Sequence, residues 1–369
     1  MSLYYIDGNS LTLDVIRRMT ADKEAAVALS EEAAARCRAA RAQIDRWMEK
    51  DAPVVYGVNT GLGNLKDVVV PPEKHIEWNK TLPYPHAAGM GEYLAPEVTL
   101  TSLLLRANVL ARGYSGVRPA LIERILSVYN AKVAPAVHSE GSTGLSDLGP
   151  LAQNVMTVAG LGEAKAYYKG ELLSAREALH RAGLPESFTL ECKEVLAQMN
   201  GSTMTQAITV LAFLHFEALL PEIERRVAGD GVAPPYLEGC RGVIEFTKAV
   251  LDRENNISCD NPLLFELPEG GYEAVMGCNC SNTQVGYAAD MMNIVLIELA
   301  SGICEKISGG LARSESRHLL NKIKTCAVQV SADSIPTKGG QEDHVEFSYT
   351  AARKFYYAVE LVRKLLTLW

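Results

Sequence analysis

Four segments of the sequence combine glycine with side chains that can transfer protons or bind a small polar molecule. They are residues 56–61 (Tyr-Gly-Val-Asn-Thr-Gly), 86–89 (His-Ala-Ala-Gly), 141–148 (Gly-Ser-Thr-Gly-Leu-Ser-Asp-Leu) and 333–344, which contains Asp-Ser-Ile-Pro-Thr and Gln-Glu-Asp-His. They lie within otherwise apolar sequence, where a buried polar group needs a partner. A phenol, an imidazole and a carboxylate in such settings indicate a catalytic or binding site.

Tyr56 is a candidate general base. It precedes glycines at positions 57, 61 and 63, which predict a mobile or tightly turned loop. A tyrosine ordinarily loses its proton only near pH ~10, so a base that works near neutrality needs a polar, charge-tuned site. The alternative is a structural tyrosine that ends a strand beside a turn.

Three further residues are candidates for substrate binding, and each has a structural alternative. His86 is also consistent with a hydrogen-bonded histidine at a helix start. Asn200, beside Gly201 in an apolar run, costs helix stability and needs a partner. Glu342 is followed by Asp343, and paired acidic residues are usually solvated.

The four segments occur together with residues 111–118, 200–201 and 260–263, and in this order the seven resemble the histidine ammonia-lyase family of aromatic amino acid ammonia-lyases. The resemblance extends from about residue 50 to 355, and the run from 333 to 345 is its most specific part. No single motif carries the resemblance; the order of all seven does.

The resemblance implies elimination of ammonia from an aromatic amino acid. Family members activate the amine with methylidene-imidazolone, an electrophile made autocatalytically from an internal Ala-Ser-Gly. By resemblance Tyr56 is the base, His86 touches the substrate ring, Asn200 lies near the amino and carboxylate groups, and Glu342 contacts the imidazole of histidine. The family also implies a homotetramer with active sites formed by several subunits.

The electrophile segment departs from the family. Family members read Gly-Ala-Ser-Gly-Asp-Leu, whereas this chain reads Gly144, Leu145, Ser146, Asp147, Leu148 and so lacks one residue, most simply the glycine. Cyclisation needs the nitrogen after the serine to approach a carbonyl closely, which glycine permits more readily than aspartate. We therefore expect no cofactor unless Leu145-Ser146-Asp147 can cyclise. Ser146, the candidate catalytic serine of this degenerate loop, is alternatively a helix N-cap with Asp147 in the first turn.

Two other departures affect the substrate pocket. The interval between Asn200 and Asp260 is too short for the family segment whose arginine binds the substrate carboxylate. Arg118 and Arg241 are candidates for that function, and Arg118 is equally consistent with a structural role. Cys280 stands where the family has an aromatic residue, which predicts a roomier pocket wall.

Composition indicates an all-α fold. Hydrophobic residues make up 48% of the chain and aromatic residues 7%, and much of the apolar content is alanine and leucine. Helical patterns are predicted over 20–50, 98–110, 119–130, 190–228 with a kink at Pro221, 242–253 and 353–368, with a turn or hairpin at 162–170. We expect an N-terminal part with the two loops (1–190) and a long-helix bundle (191–369), which together form one lyase-like unit.

Charge and targeting signals limit the function classes. The balance of 36 basic and 44 acidic residues gives a net charge of −8, which argues against nucleic-acid binding. The N-terminus has no secretory pattern, and the uncharged run 195–216 is too polar for a membrane span, so a cytoplasmic location without membrane association is expected. The cysteines lack zinc-ligand spacing, which predicts reduced thiols and no metal.

Two functions remain open. The first is a carbon–nitrogen lyase that eliminates ammonia or trimethylamine from histidine or a histidine-like imidazole compound, an amino acid or a betaine. Trimethylamine leaves without prior activation, and Tyr84, Tyr114 and Tyr287 are candidate aromatic walls for a trimethylammonium group. The alternative is a catalytically silent homologue that binds a ligand or acts as a scaffold.

Overall fold

The structure is a computed structural model that describes residues 2–22, 24–229, 231, 233–277, 279–335 and 344–368. By its internal contacts the chain divides into two compact units. The first contains Met1–Met204 and Asn255–Ser281, and the second contains Thr205–Glu254 and Asn282–Trp369. Residues 255–281 thus return to the first unit, whereas the sequence-based division at 190/191 placed them with the helical bundle.

The first unit is mainly helical, with short strands at its edges. Its helices are α1 (Leu13–Ala21), α2 (Glu31–Trp47), α3 (His75–Thr81), α4 (Pro96–Ala111), α5 (Pro119–Asn130), α6 (Leu148–Ala159), α7 (Ala175–Arg181) and α8 (Glu194–Met199). Its strands are β1 (Leu3–Ile6), β2 (Ala26–Leu29), β3 (Met90–Tyr93), β4 (Ala134–Pro135), β5 (His138–Glu140), β6 (Lys165–Tyr168), β7 (Glu171–Ser174), β8 (Leu263–Glu266) and β9 (Tyr272–Val275).

The strands form small sheets rather than a central layer. β1 and β2 pair in parallel, β3 pairs with β5, β4-β6-β7 form an antiparallel sheet, and β8 pairs with β9. The predicted hairpin is confirmed as β6 and β7. The helix predicted over 20–50 is wrong at its start, because residues 26–29 form β2 and the helix begins only after Ser30, whose side chain accepts from the N–H of Ala33.

Proline begins two of these helices, α4 and α5, and glycine ends a third, α6. Pro96 and Pro119 occupy the first turns of α4 and α5, where proline's fixed φ suits the helix and its missing N–H costs nothing. Gly160 ends α6 in the left-handed conformation, at φ 65°. Both α4 and α5 lie close to their predicted ranges, and α4 is buried along nearly its whole length.

The second unit is a bundle of long helices, as predicted for an all-α fold. It contains α9 (Thr203–Ala228), whose first two residues belong to the first unit, α10 (Tyr236–Glu254), α11 (Thr283–Lys306), α12 (Gly310–Lys324) and α13 (Ser348–Leu366). Helix α11 packs against α10, α12 and α13. The helix predicted over 190–228 is interrupted between α8 and α9, at residues 200–202.

Two apolar segments are long enough to cross a membrane by length and composition. They are Glu194–Ala228 and Thr283–Lys306, and 72% and 61% of their most apolar windows are buried inside the fold. Such burial is typical of core helices in a large protein. The apolar character of these segments is therefore explained by packing.

Candidate active site

The loop that carries Tyr56 is tightly turned and held by its own side chains. Asn59 Oδ1 accepts from the N–H of Val55 at 2.7 Å, and its amide donates to the carbonyl oxygens of Trp47 and Pro53, both at 2.9 Å. The half-buried Tyr56 hydroxyl accepts from the N–H of Gly63 at 3.4 Å. These bonds fix the loop and leave the phenol only weakly engaged.

Gly57 brings this loop into contact with α8 and with the segment that follows Asp260. Gly57 has φ +71°, and a Cβ placed on it would lie 2.9 Å from Pro262 Cδ and 3.0 Å from Leu196 Cδ2. A side chain there would be strained and crowded, so glycine is required. The backbone next to Tyr56 therefore packs directly against Pro262 and Leu196.

A buried ion pair fixes the segment around Pro262. Lys193 Nζ lies 2.6 Å from Asp260 Oδ2, and both side chains are fully buried. The other carboxylate oxygen, Oδ1, accepts from the N–H of Asn261 at 2.8 Å. Because a buried charge is tolerated only when paired and hydrogen-bonded, this arrangement holds residues 260–262 against the start of α8.

Asn200 lies at the C-terminal end of α8 rather than inside a helix. Its backbone has φ −88° and ψ 86°, and its side-chain amide donates to the carbonyl oxygen of Asn261 at 3.0 Å. The sequence-based expectation of a mid-helix asparagine is therefore wrong, because the chain leaves the helix at this residue. The expected polar partner is present, and it is a backbone carbonyl.

Position 201 is a glycine because the side chain of Arg106 fills the space that a Cβ would need. A Cβ on Gly201 would lie 2.2 Å from Arg106 Nη2 and 2.5 Å from the Cys259 carbonyl oxygen. The buried guanidinium donates to the Cys259 carbonyl oxygen at 2.8 Å and to Thr203 Oγ1 at 3.2 Å, and burial lowers the pKa of Arg106. The guanidinium thus ties α4 to the break between α8 and α9.

The degenerate electrophile loop is bonded to the same break. Ser146 Oγ accepts from the N–H of Gly201 at 2.7 Å and lies 3.1 Å from its carbonyl oxygen. The N–H of Asp147 donates to that carbonyl at 2.7 Å, and the Asp147 carboxylate accepts from Ser142 Oγ at 2.8 Å. Leu145 precedes them with φ +61°, which is uncommon for a residue with a branched side chain.

The expected N-cap function of Ser146 is wrong. The residue before α6 is Asp147, and its side chain makes no capping hydrogen bond. Ser146 is one residue too early, and its hydroxyl is directed to the Gly201 backbone instead. Both Ser146 and Asp147 are buried, with 7% and 2% of their surface exposed.

Residues 86–89 pack against this loop through glycine. Cβ atoms on Gly141 and Gly149 would each lie 2.8 Å from the Ala88 carbonyl oxygen. His86 lies in a turn after α3 rather than at a helix start, and its Nδ1 donates to the Leu82 carbonyl oxygen at 2.9 Å. In the neutral ring this bond leaves Nε2 as an acceptor.

The first unit therefore brings five of the matched segments into one continuous set of contacts. Residues 86–89 touch the loop 141–149, this loop bonds to 199–201, residues 200–201 contact 259–261, and Gly57 contacts Pro262. Glu342 lies outside the described residues, so its proposed contact with an imidazole stays a prediction.

Both arginines considered as carboxylate clamps are paired with glutamates. Arg118 Nη2 lies 2.6 Å from Glu194 Oε2, and its Nη1 lies 2.6 Å from Glu191 Oε1. Arg241, in the second unit, lies 3.0 Å from Glu224. These partners explain both arginines as structural residues.

The structure also shows where the other residues considered for the pocket wall lie. Tyr84 lines a cavity in the first unit, Tyr114 stacks with Phe265 at a ring separation of 5.3 Å, and Tyr287 is exposed on α11. Cys280 is buried, and its carbonyl oxygen accepts from Ser202 Oγ at 2.6 Å.

Over the part of the chain that the structure describes, no cluster of three or more potential metal ligands is found.

The residues present do not fit the electrophilic prosthetic group. Ring closure would require the nitrogen of Asp147 to attack the carbonyl of Leu145, but its N–H is instead hydrogen-bonded to the Gly201 carbonyl oxygen at 2.7 Å. Asp147 also directly precedes a buried helix and carries a Cβ and a charge where ring closure favours glycine. Ser146 Oγ, which dehydration would remove, is the acceptor for the Gly201 N–H.

Comparisons with known proteins place this chain and its fold in a family. The aromatic amino acid lyase model matches residues 11–228 and 310–368. The chain belongs to the aromatic amino acid lyase family, and it is a carbon–nitrogen lyase by that membership.

Individual relatives agree with this placement. Histidine ammonia-lyase from Geobacillus sp. (strain WCH70) is 30% identical over 98% of this chain and 85% of its own length. The crystal structure of histidine ammonia-lyase from Trypanosoma cruzi superimposes with a TM-score of 0.83 at 29% identity, covering 100% of this chain and 83% of its own. Ergothionase from Treponema denticola, in complex with desmethyl-ergothioneine sulfonic acid, shares the fold with a TM-score of 0.88 at 18% identity, covering 99% and 88%.

The sequence did not single out Arg106 as a site residue, nor did it show that position 201 must be a glycine to make room for Arg106. Arg106 lies in the apolar run of α4, where an isolated charged residue predicts a buried partner. That signal was available, but its partners come from residues 197, 203 and 259 and cannot be found by spacing.

Proposed function

We propose that this protein eliminates an amine from histidine or a histidine-like imidazole compound, and that it does so without methylidene-imidazolone. The observation that carries the proposal is the hydrogen bond from the Asp147 N–H to the Gly201 carbonyl oxygen. The Asp147 nitrogen would have to close the ring, and this hydrogen bond holds it in a contact with Gly201 instead. The leaving group must therefore depart without electrophilic activation.

A trimethylammonium group meets this requirement. Removal of the β-proton forms the carbon–carbon double bond, the carbon–nitrogen bond breaks, and its electron pair leaves with neutral trimethylamine. Because the nitrogen is already quaternary, no proton has to be supplied to it. We therefore favour trimethylamine over ammonia as the leaving group and a betaine over a free amino acid as the substrate.

The residues of the first unit support the remaining steps. Tyr56, whose loop is held by the Asn59 hydrogen bonds to Val55, Trp47 and Pro53, is the proposed base that takes the β-proton. His86, with Nδ1 bonded to Leu82, offers Nε2 to an imidazole N–H of the substrate. Asn200 is proposed to lie by the substrate's carboxylate, and Ser146 to position the loop rather than to react.

A substrate screen tests this proposal. The full-length protein is incubated with histidine, with its trimethylated betaine and with ergothioneine, and formation of the conjugated acid is followed by absorbance while trimethylamine and ammonia are assayed separately. We expect trimethylamine and conjugated acid in equal amounts from a betaine. Ammonia release from histidine as the dominant reaction would overturn the proposed leaving group.

A catalytically silent, ligand-binding homologue is the second candidate. It is favoured by one observation, namely that both candidate clamp arginines, Arg118 and Arg241, are paired with glutamates. Binding of a betaine without any turnover, at substrate concentrations that saturate the protein, would favour this candidate.

We further propose a cytoplasmic homotetramer. The free thiols suit a reducing compartment, and the family relatives support an oligomer. Light scattering of the purified protein tests the assembly, and a monomer would contradict it.

A further inference from the structure

The cavity in the first unit that Tyr84 lines has a volume of about 500 Å³, and the proposed reaction does not use it. It is lined by Tyr84, Ala87, Tyr93, Ala136, His138, Gln153, Met156, Thr157, Gly162, Glu163, Ala164 and Lys165. Neither Tyr56, Ser146 nor Asn200 lines it. The volume lies within the range of small-molecule pockets, about 300–1,000 Å³.

Part of the cavity wall is aromatic. The rings of Tyr93 and His138 are tilted against each other with their centroids 4.6 Å apart, and Tyr167 meets Tyr93 edge-on at 6.3 Å. Tyr84 forms another part of the wall, because Gly162 has no side chain: a Cβ there would lie 2.8 Å from Tyr84 Cε1. These rings suit a planar aromatic group.

The cavity wall also carries two opposite charges. Glu163 and Lys165 both line the cavity, and among the residues that the structure describes neither side chain has an ion-pair partner. The two residues stand two positions apart at the entry to β6. A carboxylate and an ammonium group of one ligand could therefore be bound at the same end of the cavity.

The remaining polar groups connect the cavity to residues 86–89. Gln153 donates to the Ala88 carbonyl oxygen at 3.2 Å and accepts from the N–H of His138 at 3.0 Å. Ala87, which follows His86 directly, lines the cavity itself. A ligand that orders this wall would also order the segment that holds His86.

We propose that this cavity is a second binding site, for a zwitterionic aromatic amino acid, and that its occupancy acts on the reaction site through residues 86–89. The ligand's ring lies against Tyr84, Tyr93 and His138. Its carboxylate lies by Lys165 and its ammonium group by Glu163. The assignment follows from the chemistry of the walls and is independent of which leaving group the lyase removes.

Binding stoichiometry tests the site directly. Equilibrium dialysis of the full-length protein against L-phenylalanine is compared for the wild type, Lys165→Met and Glu163→Gln. We expect each variant to bind one ligand fewer per chain than the wild type, or to bind it at least roughly tenfold more weakly, because each variant loses one charge-assisted contact. The difference between variant and wild type is the readout, so it is valid whether or not the reaction site also binds phenylalanine.

Matched controls and truncated ligands separate this site from general charge effects. Lys169→Met removes a lysine of the same hairpin outside the cavity, and Glu123→Gln removes an exposed acid on α5; both should bind like the wild type. Phenethylamine and 3-phenylpropionate, which each lack one charged group, should bind at least roughly tenfold more weakly than phenylalanine.

Equal binding by the wild type, Lys165→Met and Glu163→Gln would overturn the proposal, as would equal binding of the truncated ligands. Failure of the betaine screen with retention of the Lys165-dependent site would instead refute only the proposed function. If L-phenylalanine occupies the site in the wild type but changes kcat and KM no differently in the wild type than in Lys165→Met, the coupling through residues 86–89 is wrong.

Discussion

The N–H of Asp147 donates to the carbonyl oxygen of Gly201 at 2.7 Å, and this bond ties the shortened electrophile loop to the break between α8 and α9. It is reinforced by the bond from the Gly201 N–H to Ser146 Oγ, also at 2.7 Å. Gly201 thus donates its N–H to Ser146 and accepts from the N–H of Asp147 through its carbonyl oxygen. The loop is part of the fold's buried hydrogen-bond network, which favours a structural function.

The first prediction concerns the covalent state of this loop. Intact-mass measurement of the wild-type protein should give the mass of the unmodified sequence, because the Asp147 nitrogen is engaged with Gly201. Fragmentation of the peptide that contains residues 141–148 should find serine at 146. A wild-type mass lower by two waters, with no such loss in Ser146→Ala, would contradict this prediction.

The second prediction concerns Gly201. Gly201→Ala should lower the free energy of unfolding by about 1–3 kcal/mol, since the new Cβ would lie 2.2 Å from Arg106 Nη2 and 2.5 Å from a fixed carbonyl oxygen. Urea unfolding followed by circular dichroism measures the change. Gly239→Ala in α10 is the matched control: nothing lies within 4 Å of its Cβ position, so alanine should stabilise the helix by about 0.5–1 kcal/mol. Equal effects at both positions would refute the crowding argument.

The helices could be predicted where local signals agree. Pro96 and Pro119 open α4 and α5, and the apolar spacing that follows them continues to the observed ends. The strand β2 was missed because Ala-Val-Ala-Leu suits a helix as well as a strand, and its pairing with β1 is a tertiary contact. The break at residues 200–202 depends on Arg106 and Cys259, which the local sequence does not contain.

The candidate site could be predicted only in part. The order of the motifs made Tyr56, His86 and Asn200 candidates, and the structure places their segments in a continuous set of contacts, while their functions stay predictions. The function of Ser146 as an N-cap was wrong, because the helix begins one residue later than the pattern suggests. The cavity lined by Tyr84 was not foreseen, since its walls come from separated segments of the chain.

The third prediction concerns the proposed base. Tyr56→Phe should reduce kcat for betaine elimination by at least roughly 100-fold, the usual contribution of general base catalysis, with little change in KM. Its stability should stay within about 0.5 kcal/mol of the wild type, because the phenol makes only a 3.4 Å contact with the Gly63 N–H. Steady-state kinetics and urea unfolding measure the two effects.

The control for this variant is Tyr5→Phe, which removes a hydroxyl from a tyrosine that is 60% exposed on β1. It should leave kcat, KM and stability unchanged. If Tyr56→Phe retains full turnover, another group takes the proton.

The fourth prediction follows from two buried thiols. Burial raises the pKa of Cys192 to about 12 and that of Cys37 to about 11. Unfolded thiols titrate near pH ~8.5, so above that pH the unfolded chain releases protons that the folded chain retains. The free energy of unfolding should therefore fall as pH rises from about 9 to 11, by about 1.4 kcal/mol per pH unit for each thiol. Below pH ~8 this contribution is fully present.

Urea unfolding at pH 8 and pH 10 measures this loss, and Cys192→Ala should reduce it because a thiol with a strongly raised pKa is removed. Val195→Ala is the matched control, since it deletes buried apolar atoms from the neighbouring helix α8 without removing a titratable group. It should destabilise the protein by a similar amount at both pH values and keep the wild-type difference between them. The same difference in Cys192→Ala as in the wild type would show that this thiol titrates normally in the fold, and the burial argument would then be wrong.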